Sequence, residues 1–200
     1  MVGHNKRGPP RAISPLTYGG GTHNAARLMT ARATPSTNPV VISPERAADA
    51  PVVEGLIDRA FGPGRYAKAA ERLREGRRPL LTLSFVAWRG GEAVGCVRLW
   101  SVRIGKTGAL LLGPIAVESA WRRGGLGADL VRRAVSEAAA MGAELILLVG
   151  DQPFFGPLGF SAAQAAKVRM PGPVDQRRVM ARALVPGAAD DLDGLVTAAA

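Results

Sequence analysis

The chain has 200 residues, 47% of them apolar, a mean hydropathy of +0.08 and a formal net charge of +10. That composition suits one soluble globular domain with a substantial core. No apolar run reaches the roughly 18–20 residues of a membrane span, and no compact apolar region opens the chain as a secretory signal would.

In chain order, residues 1–38 come first, rich in Gly, Pro, Ser and Thr, with five basic residues (Lys6, Arg7, Arg11, Arg27, Arg32) and no acid. They predict a disordered basic extension, with residues 39–200 as the domain. A translation start at Met29 is an alternative to Met1. Residues 40–42 predict a short β-branched strand, and Ser43-Pro44 a turn. Asp49, with Pro51 two residues on, predicts a helix start, and Val52, Val53, Leu56, Ile57 and Phe61 give that helix an apolar stripe. Gly62-Pro63-Gly64 ends it, and a second helix is expected over 65–74. Strands are expected over 80–88 and 93–103, joined by the hairpin signal Arg89-Gly90-Gly91-Glu92. A turn at 105–108 leads into a strand over 109–117. Leu126, Leu130, Val131, Ala134, Val135, Ala138 and Met141 recur at helical spacing, and Gly142 supplies the stop. Residues 145–149 read as a buried strand. A late strand over 179–184 and a faint one over 194–197 close the chain. Hairpins first and one strand–helix–strand crossover later predict a mixed α/β sheet.

The most informative stretch lies between the strand at 109–117 and the helix that follows. Arg122-Arg123-Gly124-Gly125-Leu126-Gly127 brings two cations and a glycine-rich backbone to a helix start, where free N–H groups and the helix dipole hold a diphosphate. No lysine follows these glycines, which excludes the P-loop. Leu130 stands where a dinucleotide fingerprint needs its last glycine. Upstream, Gly113-Pro114 interrupts an apolar strand, and strand pairing should break there.

Val117, Arg122, Gly125 and Gly127 fill the pattern V-x-x-x-x-[RQ]-x-x-G-x-[GA], between LGPIAV and GDQPFFGPLGF. In these three segments the chain resembles the GNAT N-acetyltransferase superfamily over about residues 39–186, most of all its small bacterial single-domain group. The resemblance implies a mostly antiparallel central sheet, flanking helices and one splayed strand pair. It implies acetyl-CoA as co-substrate, a primary amine of a small molecule or a protein as acceptor, and direct attack on the thioester. Residues 122–128 (Arg122, Arg123, Gly124, Gly125, Leu126, Gly127, Ala128) would hold the diphosphate. The backbone of Ile115, Ala116 and Val117 would meet pantetheine and the thioester oxygen, and Phe154 and Phe155 would line the channel or pack in the core.

For proton transfer, Glu118 is one candidate base and Asp151 another, as a base or an amine-binding group. Relatives of this group tend to carry Tyr-Tyr where this chain has Phe154-Phe155, so the usual acid is missing, and a CoA-binding sensor that has lost catalysis stands as the alternative. With His4 and His23 both in the first 38 residues, no histidine triad or His/Cys metal site can form in the domain. Cys96, the single cysteine, reads as core, excludes internal disulfides and fits a reducing cytosol. Residues 39–186 alone carry +8, which suits a phosphate-bearing ligand. No basic, aromatic-studded stripe points to nucleic acid. Monomer and homodimer remain equal expectations.

Overall fold

In the computed structural model, which describes residues 38–199, the predicted apolar runs pair into one sheet. These residues fall in a unit spanning Ser36–Ala200. Apart from Asn38, the predicted basic extension lies outside the described residues, as does the choice between Met1 and Met29. The strands are β1 (Val41–Pro44), β2 (Phe85–Arg89), β3 (Glu92–Ile104), β4 (Thr107–Val117), β5 (Leu145–Val149), β6 (Lys167–Arg169), β7 (Val179–Ala183) and β8 (Asp193–Ala198). They run in the order β1-β2-β3-β4-β5-β7, while β8 joins the far end of β3 and carries β6. Only β4–β5 and β6–β8 pair in parallel, so the sheet is mixed and mostly antiparallel, as expected.

Helix α2 (Leu126–Ala140) covers one face. Its residues Leu130, Val131, Ala134 and Ala138 pack on Val97, Leu99, Leu110, Leu112, Ile146 and Leu148. Each buried leucine, isoleucine or valine among them is worth about 1.5–3 kcal/mol of transfer free energy. On the opposite face α1 (Ala50–Phe61) sets Val53, Leu56 and Ile57 against Val86, Cys96 and Ala116. A third cluster on that face joins Trp100, Val102, Leu111 and Leu147 to Ala69, Leu73 and Val168. Arg98 stands between Cys96 and Trp100 on β3, so by strand alternation it faces the gap between these two clusters.

Several local expectations change. Residues 65–74 form two short 3₁₀ turns (Pro63–Ala67 and Glu71–Leu73), not a helix. Only Ala69, Ala70 and Leu73 there join an apolar cluster, too little to drive a helix nucleus. Residues 80–84 make a turn over Leu81–Leu83 before β2 begins, with the Ser84 hydroxyl accepting from Leu99 N–H at 3.1 Å. Ser43 and Pro44 belong to β1, an edge strand that tolerates a proline. Met141 lies just beyond α2 and is 60% exposed, and Val52 and Phe61 also leave the core. Asp49 precedes α1, but its carboxylate accepts from Arg46 N–H and guanidinium instead of capping the helix.

Candidate active site

The register of β4 changes at Gly113-Pro114. Leu112 sits opposite Leu99 and Ile115 opposite Val97, so Arg98 faces two residues of β4. This is the predicted bulge, and Trp100 Nε1–H holds it by donating to the Gly113 carbonyl at 2.7 Å. On the other edge β4 pairs with β5 only at Leu110 and Leu111, opposite Ile146 and Leu147. Beyond those rungs the two strands part. A cavity of about 750 Å³ opens between them, walled by residues 112–117 of β4 and by Val149, Gly150 and Asp151 at the end of β5.

At its upper end the cavity meets Arg122, Gly125, Gly127 and Ala128. Residues Ser119–Gly124 form a 3₁₀ turn, and Gly125 then takes a left-handed conformation (φ 81°) that turns the chain into α2. A Cβ built on Gly125 would find nothing within 4 Å, so its backbone faces open space. The first amides to bond back are Ala128 and Asp129, both to the Gly125 carbonyl. The N–H groups of Leu126 and Gly127 therefore precede the α2 ladder, at the positive end of the helix dipole. Arg122 Nε donates to the Val117 carbonyl at 3.0 Å, tying the loop to the end of β4.

The wall also carries charge. Arg65, Lys68, Arg74, Arg122 and Arg178 line the cavity against Glu71, Asp151 and Asp175, a cationic excess suited to an anionic ligand. Behind this wall lies an ionic network that the sequence reading missed. Arg98 donates from Nε and Nη2 to the buried Glu45 and from Nη1 to Glu54. Arg65 bonds Glu54 at 2.8 Å and pairs with Asp58 at 3.0 Å. Burial works against the Glu54 carboxylate, but hydrogen bonds from Arg65 and Arg98 outweigh it and hold its pKa below the usual carboxylate range. Burial pushes the Cys96 thiol up to about 12, so this cysteine is packing, not a nucleophile.

The family model described as "Acetyltransferase (GNAT) family" matches residues 53–160, just over half the chain. The chain belongs to the GNAT acetyltransferase family. It is 28% identical over 160 residues to an uncharacterized N-acetyltransferase, YhbS, of Escherichia coli K12, covering 78% of this chain and 95% of that one. The crystal structure of the E. coli YhbS protein in complex with CoA superposes with a TM-score of 0.70 at 25% identity, over 83% of this chain and 93% of that one. A GNAT family acetyltransferase from Brucella melitensis in complex with acetyl-CoA gives 0.62 at 25% identity, over 82% and 97% of the two chains.

On this GNAT frame the structure sorts the residues singled out from the sequence. Ile115, Ala116, Val117, Arg122, Gly125, Gly127, Ala128, Asp151, Phe154 and Phe155 come together around the cavity. Arg123, Gly124 and Leu126 do not line it. Leu126 turns inward onto the α2 core, while Arg123 and Gly124 are exposed at the loop. Phe154 is 43% exposed in the wall, and Phe155 packs edge-on between it and Phe160, so the pair divides between channel and core. Glu118 points elsewhere: its carboxylate accepts from Arg59 Nε and Nη2 at 2.9 and 2.8 Å, outside the lining. Asp151 stands in the wall with Arg178 Nε 3.1 Å away, and its backbone carbonyl, not its side chain, caps the turn of α3 (Gln152–Phe155). Tyr66, the tyrosine among the described residues, is exposed and absent from the lining.

Proposed function

We propose that this protein transfers the acetyl group of acetyl-CoA to a primary amine by direct attack of the amine on the thioester. The observation that carries this reading is the parting of β4 from β5 beyond Leu111, directly below the loop at 122–128. An extended chain such as pantetheine fits that gap as a strand would, against the β4 edge that β5 no longer covers. The diphosphate then meets the N–H groups at the start of α2 and the Arg122 guanidinium. Two structural neighbours are complexes with CoA and with acetyl-CoA, which supports a ligand of this kind for this chain.

In the reaction the amine nitrogen forms a bond to the thioester carbon, the C–S bond breaks, and CoA leaves as thiolate. A backbone N–H between Ile115 and Val117 meets the charge that develops on the carbonyl oxygen, an effect worth about 2.7–4 kcal/mol when such a donor is removed elsewhere. The ammonium must first lose a proton. Asp151 keeps its place in the wall and takes that proton through water, whereas Glu118 anchors Arg59. The thiolate, with a free thiol pKa of about 8.5, takes its proton from solvent, since Phe154 and Phe155 have none to give.

The aromatic pair also favours a second reading, a CoA-binding sensor without turnover. Calorimetry with CoA and acetyl-CoA, followed by thiol release with an amine panel, tests both. Saturation at about 100 times the dissociation constant should add roughly 2.7 kcal/mol of stability. Failure to bind CoA would end the first reading, and binding with no amine-dependent thiol release would favour the sensor.

A further inference from the structure

At the lower end of the cavity one arginine is short of acceptors. The Arg74 side chain is only 12% exposed, and its single carboxylate partner is Glu71, at a long 3.2 Å from Nη1. Its Nε is buried with no hydrogen-bond partner. Its Nη2 lies 3.1 Å from the position a Cβ on Gly113 would occupy, placing the guanidinium at the β4 bulge inside the cavity wall. The neighbouring cations have more carboxylates: Arg98 has Glu45 and Glu54, and Arg65, whose Nε also lacks a hydrogen bond, has Glu54 and Asp58 close by. Burial, reinforced by the Arg65 and Arg98 charges, pulls the Arg74 pKa down to about 10, which still leaves it a cation at neutral pH. A buried cation with unused donors is costly unless an anion completes it.

We infer that Arg74 is the seat of a carboxylate on the acceptor, so that the substrate class is small amino acids in which the reacting amine and a carboxylate lie a few bonds apart. The inference rests on the acetyl-transfer reading and narrows its acceptor. Geometry sets the size. Gly113 is two to four residues from the backbone of Ile115–Val117, or about 7–13 Å at the rise of a strand. A guanidinium–carboxylate pair takes up about 4 Å of that, and near-attack distance about 3 Å. What remains, up to about 6 Å, spans the range from an α-amino to a δ-amino carboxylate. Nη2, the nitrogen that stands at the bulge, can donate to a carboxylate oxygen, and the adjacent Glu71 disfavours a doubly charged phosphate.

The test uses the full chain with saturating acetyl-CoA. Glycine through 6-aminohexanoate are each compared with the alkylamine of equal length, by thiol release. At least one amino acid should exceed its alkylamine about 10- to 100-fold in kcat/KM, the range for one hydrogen-bonded charge pair. R74M should erase that ratio by raising KM for the amino acid far more than for the alkylamine of equal length. R74K should retain part of the ratio. Equal kcat/KM for the wild-type pairs, or a ratio that survives in R74M, overturns the inference. A second measurement does not need turnover: calorimetry of the N-acetylated amino acids on CoA-loaded protein. Binding to wild type that R74M loses supports the inference. Equal binding to both, or none to wild type, overturns it. Protein that fails to bind CoA at all sinks the acetyl-transfer reading instead, which keeps the two failures apart.

Discussion

Gly125 is where charge and backbone conformation at the proposed diphosphate loop are separable. Its φ of 81° lies in the left-handed region, and a Cβ there would touch nothing within 4 Å. Gly125→Ala therefore introduces no clash, only the cost of placing an L-residue in that region, about 1–2 kcal/mol. At roughly 2–4 °C per kcal/mol for a chain of this size, Tm should fall by about 2–8 °C. Gly125→Glu carries the same strain and adds a carboxylate beside the expected diphosphate. At about 5 Å, two unit charges repel by about 0.8 kcal/mol in water and about 3.3 kcal/mol at an effective dielectric of 20. The strain is present in free and bound protein alike and cancels, so the repulsion appears as a loss of roughly 4- to 250-fold in CoA affinity. Calorimetry at about 0.05 and 0.5 M salt should show the Gly125→Glu deficit shrinking as screening increases, and Gly125→Ala close to wild type. Gly127→Ala is the control. Its Cβ would meet Phe154 at 3.5 Å and Val117 at 3.7 Å, ordinary contacts, inside a helix that gains from alanine. Wild-type CoA affinity in Gly125→Glu at low salt would refute this placement of the diphosphate, and an unchanged Tm in Gly125→Ala would refute the backbone argument.

Three further outcomes follow from the same contacts. Trp100→Phe removes the donor to the Gly113 carbonyl and should cost about 1–3 kcal/mol, read as a lower urea midpoint together with weaker CoA binding; if both stay at wild type, the indole does not hold the bulge. The Arg46 hydrogen bonds hold the Asp49 carboxyl below its usual range, and Glu54 is held low as well. Because these folded-state values are depressed, their stabilisation is present above the ordinary carboxylate pKa of about 4 and is lost as pH falls through the folded values. The urea midpoint should therefore drop below about pH 4, less steeply in Arg46→Ala; identical acid limbs would exclude the pair as a source. The Cys96 thiol, buried and pushed up to about 12, should resist a thiol reagent in the native protein and react fully in urea; native labelling at the unfolded rate would mean that β3 opens.

The two ends of the cavity differ in how far they could be read from the chain, for a physical reason. The end proposed for the diphosphate is built from neighbours in sequence: an apolar run, Gly113-Pro114, a basic glycine-rich turn and a 3.6-residue stripe, each imposing its own geometry. The mixed character of the sheet around it was expected from hairpin signals and one crossover. The opposite end is assembled by charges far apart in sequence, Arg98 with Glu45 across 53 residues and with Glu54 across 44. Periodicity carries no trace of such pairs, and propensity misled at 65–74, where Arg65, Ala69 and Leu73 turn inward without a helix. One local signal did exist: Arg98 sits between Val97 and Leu99 in a strand otherwise buried through Trp100, and a charge so placed needs partners on the facing helix and loop. Glu45 and Glu54 take up Arg98, and Glu54 and Asp58 pair with Arg65, so Glu71 alone is left for Arg74. The unfilled valence of the network therefore falls at the β4 bulge, on the cavity side, where an incoming acceptor can complete it.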